Sequence, residues 1–193
     1  PKFRLIDDYS EVGHNSAAIV RESITTEGTD NTVNILKFWY TAMAKDGHVI
    51  VVLSSGKVLR GKRHSGWNGD SLALRGYLED MVAAYRQVPR RESQASFFTI
   101  AFWNSQKKVV QIAEHLGQPF GGVASVNNFN RLAKAIRAIL VRRMWFPASQ
   151  YYDDFTVNEP LGIAIHGQTF LEKAVALLGW VVECKSPPKS TYV

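Results

Sequence analysis

Tyr151-Tyr152-Asp153-Asp154-Phe155 sets two adjacent acids between aromatic residues, at a turn between two apolar runs. One Asp in a turn is ordinary, because its side chain accepts hydrogen bonds from nearby backbone amides. That leaves the aromatic collar unexplained. Paired carboxylates at a tight turn also suit hard divalent cations, whose remaining positions substrate phosphates complete. On these five residues alone a plain turn and a metal site both stand. A third acid, Asp80, closes the stretch Tyr77-Leu78-Glu79-Asp80. Two-metal phosphoryl transfer needs carboxylates from separate strands around ions about 3.5–4 Å apart. Asp80 and Asp153 meet that need if their strands are neighbours; otherwise Asp80 merely ends a strand.

Working outward, strands are expected at 145–151 and near 161–166, with a turn at Asp153-Asp154 between them. A helix at 170–178 stops at Gly179, a residue free to take the left-handed conformation that ends helices. Residues 123–144 form the strongest helical pattern: Val126, Phe129, Leu132, Ala133, Ile136, Ile139 and Leu140 fall on one face. Arg131, Lys134, Arg137, Arg142 and Arg143 occupy much of the remainder. Residues 32–44 carry apolar positions at helical spacing. Strands are expected at 49–53 and 58–60 around the turn Ser54-Ser55-Gly56-Lys57, then an exposed basic loop over 61–70. A strand at 77–81 leads into a short turn or helix at 82–87, and 96–102 with 108–113 read as a hairpin turning near Asn104. Lys2 to Ile6 and Trp180 to Cys184 read as further strands. Strands and helices in this irregular order predict an α+β fold, not a doubly wound parallel sheet.

Composition narrows the function classes. The chain has 193 residues, 46% apolar, with ten Phe, seven Tyr and five Trp, ample for a core and unlike a disordered chain. No apolar window is long enough to span a membrane. The single Cys184 forms no internal disulfide, and one Cys with five scattered His does not suit a structural zinc site. With no signal segment at the start, an intracellular, non-secreted, non-membrane protein is expected. Twenty-three Lys and Arg against seventeen Asp and Glu give a net charge of +6, which permits a phosphate-rich partner without requiring one. Pro1 is not an initiator Met and Lys2 opens a strand already under way, so a piece of a longer polypeptide is expected.

Several stretches, in order, resemble the motifs of reverse transcriptases. Asp80-Met81-Val82-Ala83-Ala84-Tyr85 is similar to the first palm motif, an Asp with an aromatic five positions on. Gln118-Pro119-Phe120-Gly121, followed by Ser125 and Phe129-Asn130, resembles the second, a Pro-x-Gly turn entering a long helix. Tyr151-Tyr152-Asp153-Asp154 matches the Tyr-x-Asp-Asp box. Lys2 to Tyr9 with Asn15 resembles the fingers motif that precedes them, and residues 170–179 with Lys185 the weaker fourth palm motif. The inserted region 34–71 is similar to divergent reverse-transcriptase-like reading frames of protist retroelements.

The resemblance implies a polymerase palm, an antiparallel sheet with helices packed on one face, over 76–193, and part of the fingers over 1–75. The thumb and the N-terminal fingers hairpin would lie outside this sequence. It implies RNA-directed DNA synthesis on an RNA or DNA template with primer, from deoxynucleoside triphosphates. Asp80, Asp153 and Asp154 would hold two Mg²⁺ or Mn²⁺ ions. Arg4 would clasp the triphosphate through its fork of donors, and Tyr85 would sit beneath the sugar and exclude a 2′-hydroxyl. Phe120, Gly121, Tyr152 and Lys185 would complete the substrate contacts. Phe120 departs from the family, which usually places a polar residue there, and Glu79 adds a charge beside Asp80. Two alternatives remain at this point: an RNA-synthesising palm, and a palm that binds nucleic acid or protein without catalysis.

Overall fold

The computed structural model describes residues 7–43, 46–182 and 191–192. Helices α1 (His14–Ala17) and α2 (Thr29–Ala42) precede strands β1 (His48–Val52), β2 (Val58–Lys62) and β3 (Leu74–Asp80). Then come β4 (Thr99–Asn104), β5 (Val109–Glu114), α3 (Val123–Met144), β6 (Ala148–Tyr151), β7 (Asp154–Pro160), α4 (Leu161–Leu177) and β8 (Thr191–Tyr192). Among the described residues every strand pairing is antiparallel, and the fold is α+β. No helix among the described residues is long and apolar enough to cross a membrane. Two compact units divide the chain, one drawn from Pro1–Thr25 and Val82–Lys134, the other from Thr26–Met81 and Ala135–Val193.

The second unit is organised by a four-stranded sheet in the order β6-β7-β3-β8. β3 and β7 are in register from Leu74↔Pro160 to Asp80↔Asp154. Side chains alternate between faces along a strand, so this register sorts both strands at once. Tyr77, Phe155 and Val157 fall on one face and are almost wholly buried. α4 covers that face: Ala164, Gly167, Leu171, Ala174 and Val175 are its buried positions, at three- and four-residue spacing. Burying side chains such as Leu171 and Phe155 contributes about 1.5–3 kcal/mol each relative to exposure. From α2, Trp39 donates its indole N–H to the Asn158 carbonyl at 2.7 Å.

Residues 161–166, expected as a strand, are instead the first turns of α4. Pro160 fixes the entry: it closes β7 and occupies the N-cap position of the helix. The apolar alternation over Leu161, Ile163 and Ile165 is misleading, because Ile165 is exposed and the buried residues follow the helical period. The strand expected at 145–151 is confined to Ala148–Tyr151. Trp145 takes a left-handed φ of 55°, and the Phe146 amide returns to the Leu140 carbonyl at 3.0 Å, ending α3. The hairpin turn lies one residue earlier than expected, at Tyr152-Asp153, so that Asp154 begins β7. Of the strand expected at 180–184 the described part is one bridge, Met81↔Val182. The strand expected at 77–81 begins earlier, at Leu74. The basic stretch 61–70 is not all loop, since Gly61 and Lys62 belong to β2. The strand expected over Lys2 to Ile6 lies outside the described residues.

In the first unit α3 begins as the sequence indicates. Asn15 brackets that beginning: its side-chain amide donates to the Gly121 carbonyl and its oxygen accepts the Val123 N–H, both at 2.9 Å. The β4–β5 hairpin turns on Asn104, whose side-chain oxygen accepts from the Gln106 and Lys107 amides at 3.0 Å each. Ser96 to Phe98, expected in β4, wind into a 3₁₀ turn that ends at Phe98.

Gly167 is where α4 comes down on the sheet. A Cβ there would collide with the Glu159 carboxylate and lie 2.9 Å from the Tyr77 hydroxyl. Alanine in a helix ordinarily gains about 1 kcal/mol over glycine. Here the overlap reverses the sign, and Gly167→Ala is expected to lower the thermal midpoint by several degrees, on the order of 1–3 kcal/mol. Differential scanning calorimetry measures it.

Candidate active site

Asp80 and Asp154 are the last pair of the β3–β7 register. Directly opposed residues share a face, with Cβ atoms about 4.5–5.5 Å apart. The same parity puts them on the face opposite Tyr77 and Phe155, and both are half-buried. Asp153, also half-buried, is the second residue of the tight turn. Thus Asp80 meets Asp154 across the ladder, while Asp153 stands one place further round the bend. Tyr151 pairs with Asp154 from β6, and its ring meets that of Tyr152 edge-on at 5.0 Å.

The turn is conformationally demanding. Tyr152 has φ 51°, a left-handed value that an aromatic residue rarely adopts. The buried Gln150 supports it, donating from its side-chain amide to the Tyr152 carbonyl at 2.6 Å. β6 is held in turn by Glu27 and Arg137. Arg137 donates to the Ala148 carbonyl at 3.2 Å and pairs with Glu27 at 2.7 Å, while Glu27 accepts the Gln150 amide at 3.2 Å. Sequence reading missed Glu27 and Gln150 altogether and took Arg137 only as part of a basic face. Arg137 alone left a trace, as a cation close to the apolar stripe of α3.

Two further carboxylates lie under α4. Burial pushes Glu159 up from 4.5 to about 7, and Tyr77 donates its hydroxyl to Glu159 at 3.2 Å. Burial, with the charges of Glu172 and Asp80, pushes Glu79 up to about 7. The extra charge expected beside Asp80 therefore points to the other face of β3 and is partly discharged at neutral pH. Burial and the Glu159 carboxylate drive the Tyr77 hydroxyl far upward.

In the first unit Tyr85 packs edge-on against Phe120 at 4.9 Å and Phe129 at 5.0 Å. The two positions singled out for substrate contact thus touch each other, and Arg86 lies over the Phe120 ring at 5.8 Å. Gly121 takes φ 94°, which glycine adopts without strain. Asp7, His115 and Arg86 form a cluster: His115 Nε2 is 3.2 Å from Asp7 Oδ2, and Arg86 lies 2.9 Å from His115 Nδ1. Arg4 and Lys185 lie outside the described residues. Comparison with protein-family models gives no match, and neither does comparison with curated proteins.

Whether this donor set fits a metal turns on its count. Among the described residues no three His, Cys, Asp or Glu side chains form a group able to hold an ion. The Asp80–Asp154 pair fits a divalent cation that takes its other oxygens from substrate or water.

The raised carboxyls have a measurable consequence. Glu79 and Glu159 favour the neutral form when folded, so their contribution is complete below about 4.5 and is lost as pH rises through about 7. The thermal midpoint is expected to fall between pH 4.5 and 8, and Glu79→Gln with Glu159→Gln to flatten that fall by on the order of 5 °C.

Proposed function

We propose that this chain is the palm, with part of the fingers, of a retroelement reverse transcriptase of the divergent protist type. It extends a primer 3′-hydroxyl along an RNA or DNA template, using deoxynucleoside triphosphates. The observation that carries the reading is the cross-strand pair Asp80–Asp154 beside a Tyr-Tyr-Asp-Asp hairpin, in an antiparallel sheet. The ordered motifs around it support the same reading. In this division residues 76–193 are palm and 1–75 partial fingers with an insertion.

Asp80 and Asp154 would hold the divalent cations, with Asp153 the third carboxylate at the turn. Such ions, when bound, neutralise phosphate charge and favour the ionised form of an attacking hydroxyl. The chain's own part is largely positioning. The β3–β7 ladder fixes the spacing of the two acids, and Gln150 holds the strained turn that presents Asp153. Half-burial of the acids limits competing water. Tyr85 would exclude a ribose 2′-hydroxyl, its ring steadied by Phe120 and Phe129. Arg4 and Lys185 would meet the phosphates.

Mn²⁺ titration followed by Trp fluorescence tests the site. A saturable response is expected in the native chain, weakened at least ~10-fold by Asp80→Ala or Asp154→Ala, since each removes one of two charged ligands. A response that survives both substitutions unchanged overturns the reading. In primer extension Tyr85→Ala is expected to raise ribonucleotide incorporation relative to deoxynucleotide at least ~10-fold, the order a removed steric block is worth. Native preference for ribonucleotides would instead indicate an RNA-synthesising palm.

A further inference from the structure

On α3, Arg131 is paired with Glu22 at 2.8 Å and Arg137 with Glu27 at 2.7 Å, while Lys134, Arg142 and Arg143 take part in no ion pair among the described residues. The β1–β2 hairpin has no carboxylate at all in its own stretch. From Gly47 to Gly69 the sequence holds no Asp or Glu, yet carries Lys57, Arg60, Lys62 and Arg63 with His48 and His64. All of β2 is exposed. Lys57, Arg60 and Lys62 take part in no ion pair among the described residues. Asp46, the acid just outside, is engaged by His48 through its backbone amide at 3.0 Å and its ring at 3.3 Å.

The register gathers these charges. Ile50↔Arg60 and His48↔Lys62 are opposed pairs two residues apart, so Arg60, Lys62 and His48 share one face. Lys57 stands at the turn, where its carbonyl accepts the Leu53 amide at 2.9 Å. Exposed cations concentrated on a two-stranded ribbon with no acid in the same stretch attract a polyanion.

We propose that the β1–β2 hairpin docks the phosphodiester backbone of a nucleic-acid duplex, the template–primer. The choice of nucleic acid among polyanions rests on the polymerase reading. The choice of duplex rests on the hairpin itself: His48 to Lys62 contain no Phe, Tyr or Trp, and binding of unpaired strands relies on aromatic stacking. Lys57, Arg60 and Lys62 each meet a phosphate, and the contact is independent of sequence.

The test is fluorescence anisotropy of a labelled RNA–DNA duplex, titrated between about 50 and 200 mM salt. The variant Lys57→Ala/Arg60→Ala/Lys62→Ala is set against Lys134→Ala/Arg142→Ala/Arg143→Ala, which removes equal charge from exposed positions of α3. The hairpin variant is expected to bind at least ~10-fold more weakly, with a log–log salt slope shallower by roughly 2–3, about 0.9 per phosphate contact. The α3 variant should change both far less. Equal losses in the two variants, or no loss in the hairpin variant with its thermal midpoint intact, overturn the proposal. So does hairpin-dependent binding to phosphatidylserine vesicles without binding to duplex. Asp80→Ala/Asp154→Ala should keep the duplex affinity while losing the Mn²⁺ response. Hairpin-dependent duplex binding supports the proposal even if the native chain shows no Mn²⁺ response, a result that would defeat the polymerase reading alone.

Discussion

The seven-pair register of β3 against β7 is the constraint on which the second unit depends. Alternation along a strand means that a slip of one residue would exchange its faces. Tyr77 and Val157 would leave the ground beneath α4, and Asp80 would lose Asp154 as its opposite number. Apolar burial under α4 and the opposition of two acids on the other face are one fact seen from two sides. The glycine at 167 belongs to the same arrangement, since the helix can follow the sheet only where no side chain intervenes.

Much of this was legible in the sequence, and the failures have physical causes. α3 was legible to its ends because its apolar positions keep a helical period over many turns, which little else produces. The α+β class followed from the irregular alternation of elements. The start of α4 was not legible: Leu161, Ile163 and Ile165 alternate as a strand would, and only burial shows that Ala164, Gly167 and Leu171 make the contact face. Of the site, the three acids were visible as residue types. Which acid opposes Asp80 was not, because the turn lies one residue earlier than the pair of aspartates suggests. Glu27 was invisible, as no periodicity marks a residue whose partner is a backbone amide far along the chain, and Gln150 because its bond to the Tyr152 carbonyl depends on the strained turn between them.

Charge in this molecule is arranged by burial more than by number. Glu79 and Glu159 are acids that burial leaves partly discharged at neutral pH, on the face of the sheet opposite Asp80 and Asp154. Asp80 and Asp154, half-buried on the other face of the sheet, are closer to solvent than either. Arg131 and Arg137 are spent on carboxylates, so the net charge of +6 is expressed elsewhere, on surfaces such as β2.

The pair formed by Arg137 and Glu27 has a wider effect than holding one strand. β6 is the last strand of its sheet, and an outermost strand offers amides and carbonyls that a neighbouring molecule could copy. Here the Ala148 carbonyl and the Gln150 amide are already taken by side chains of the same chain. Among the described residues, two of the backbone groups with which another strand would have to pair at that border are thus occupied within the chain, which makes the addition of a further strand there less favourable.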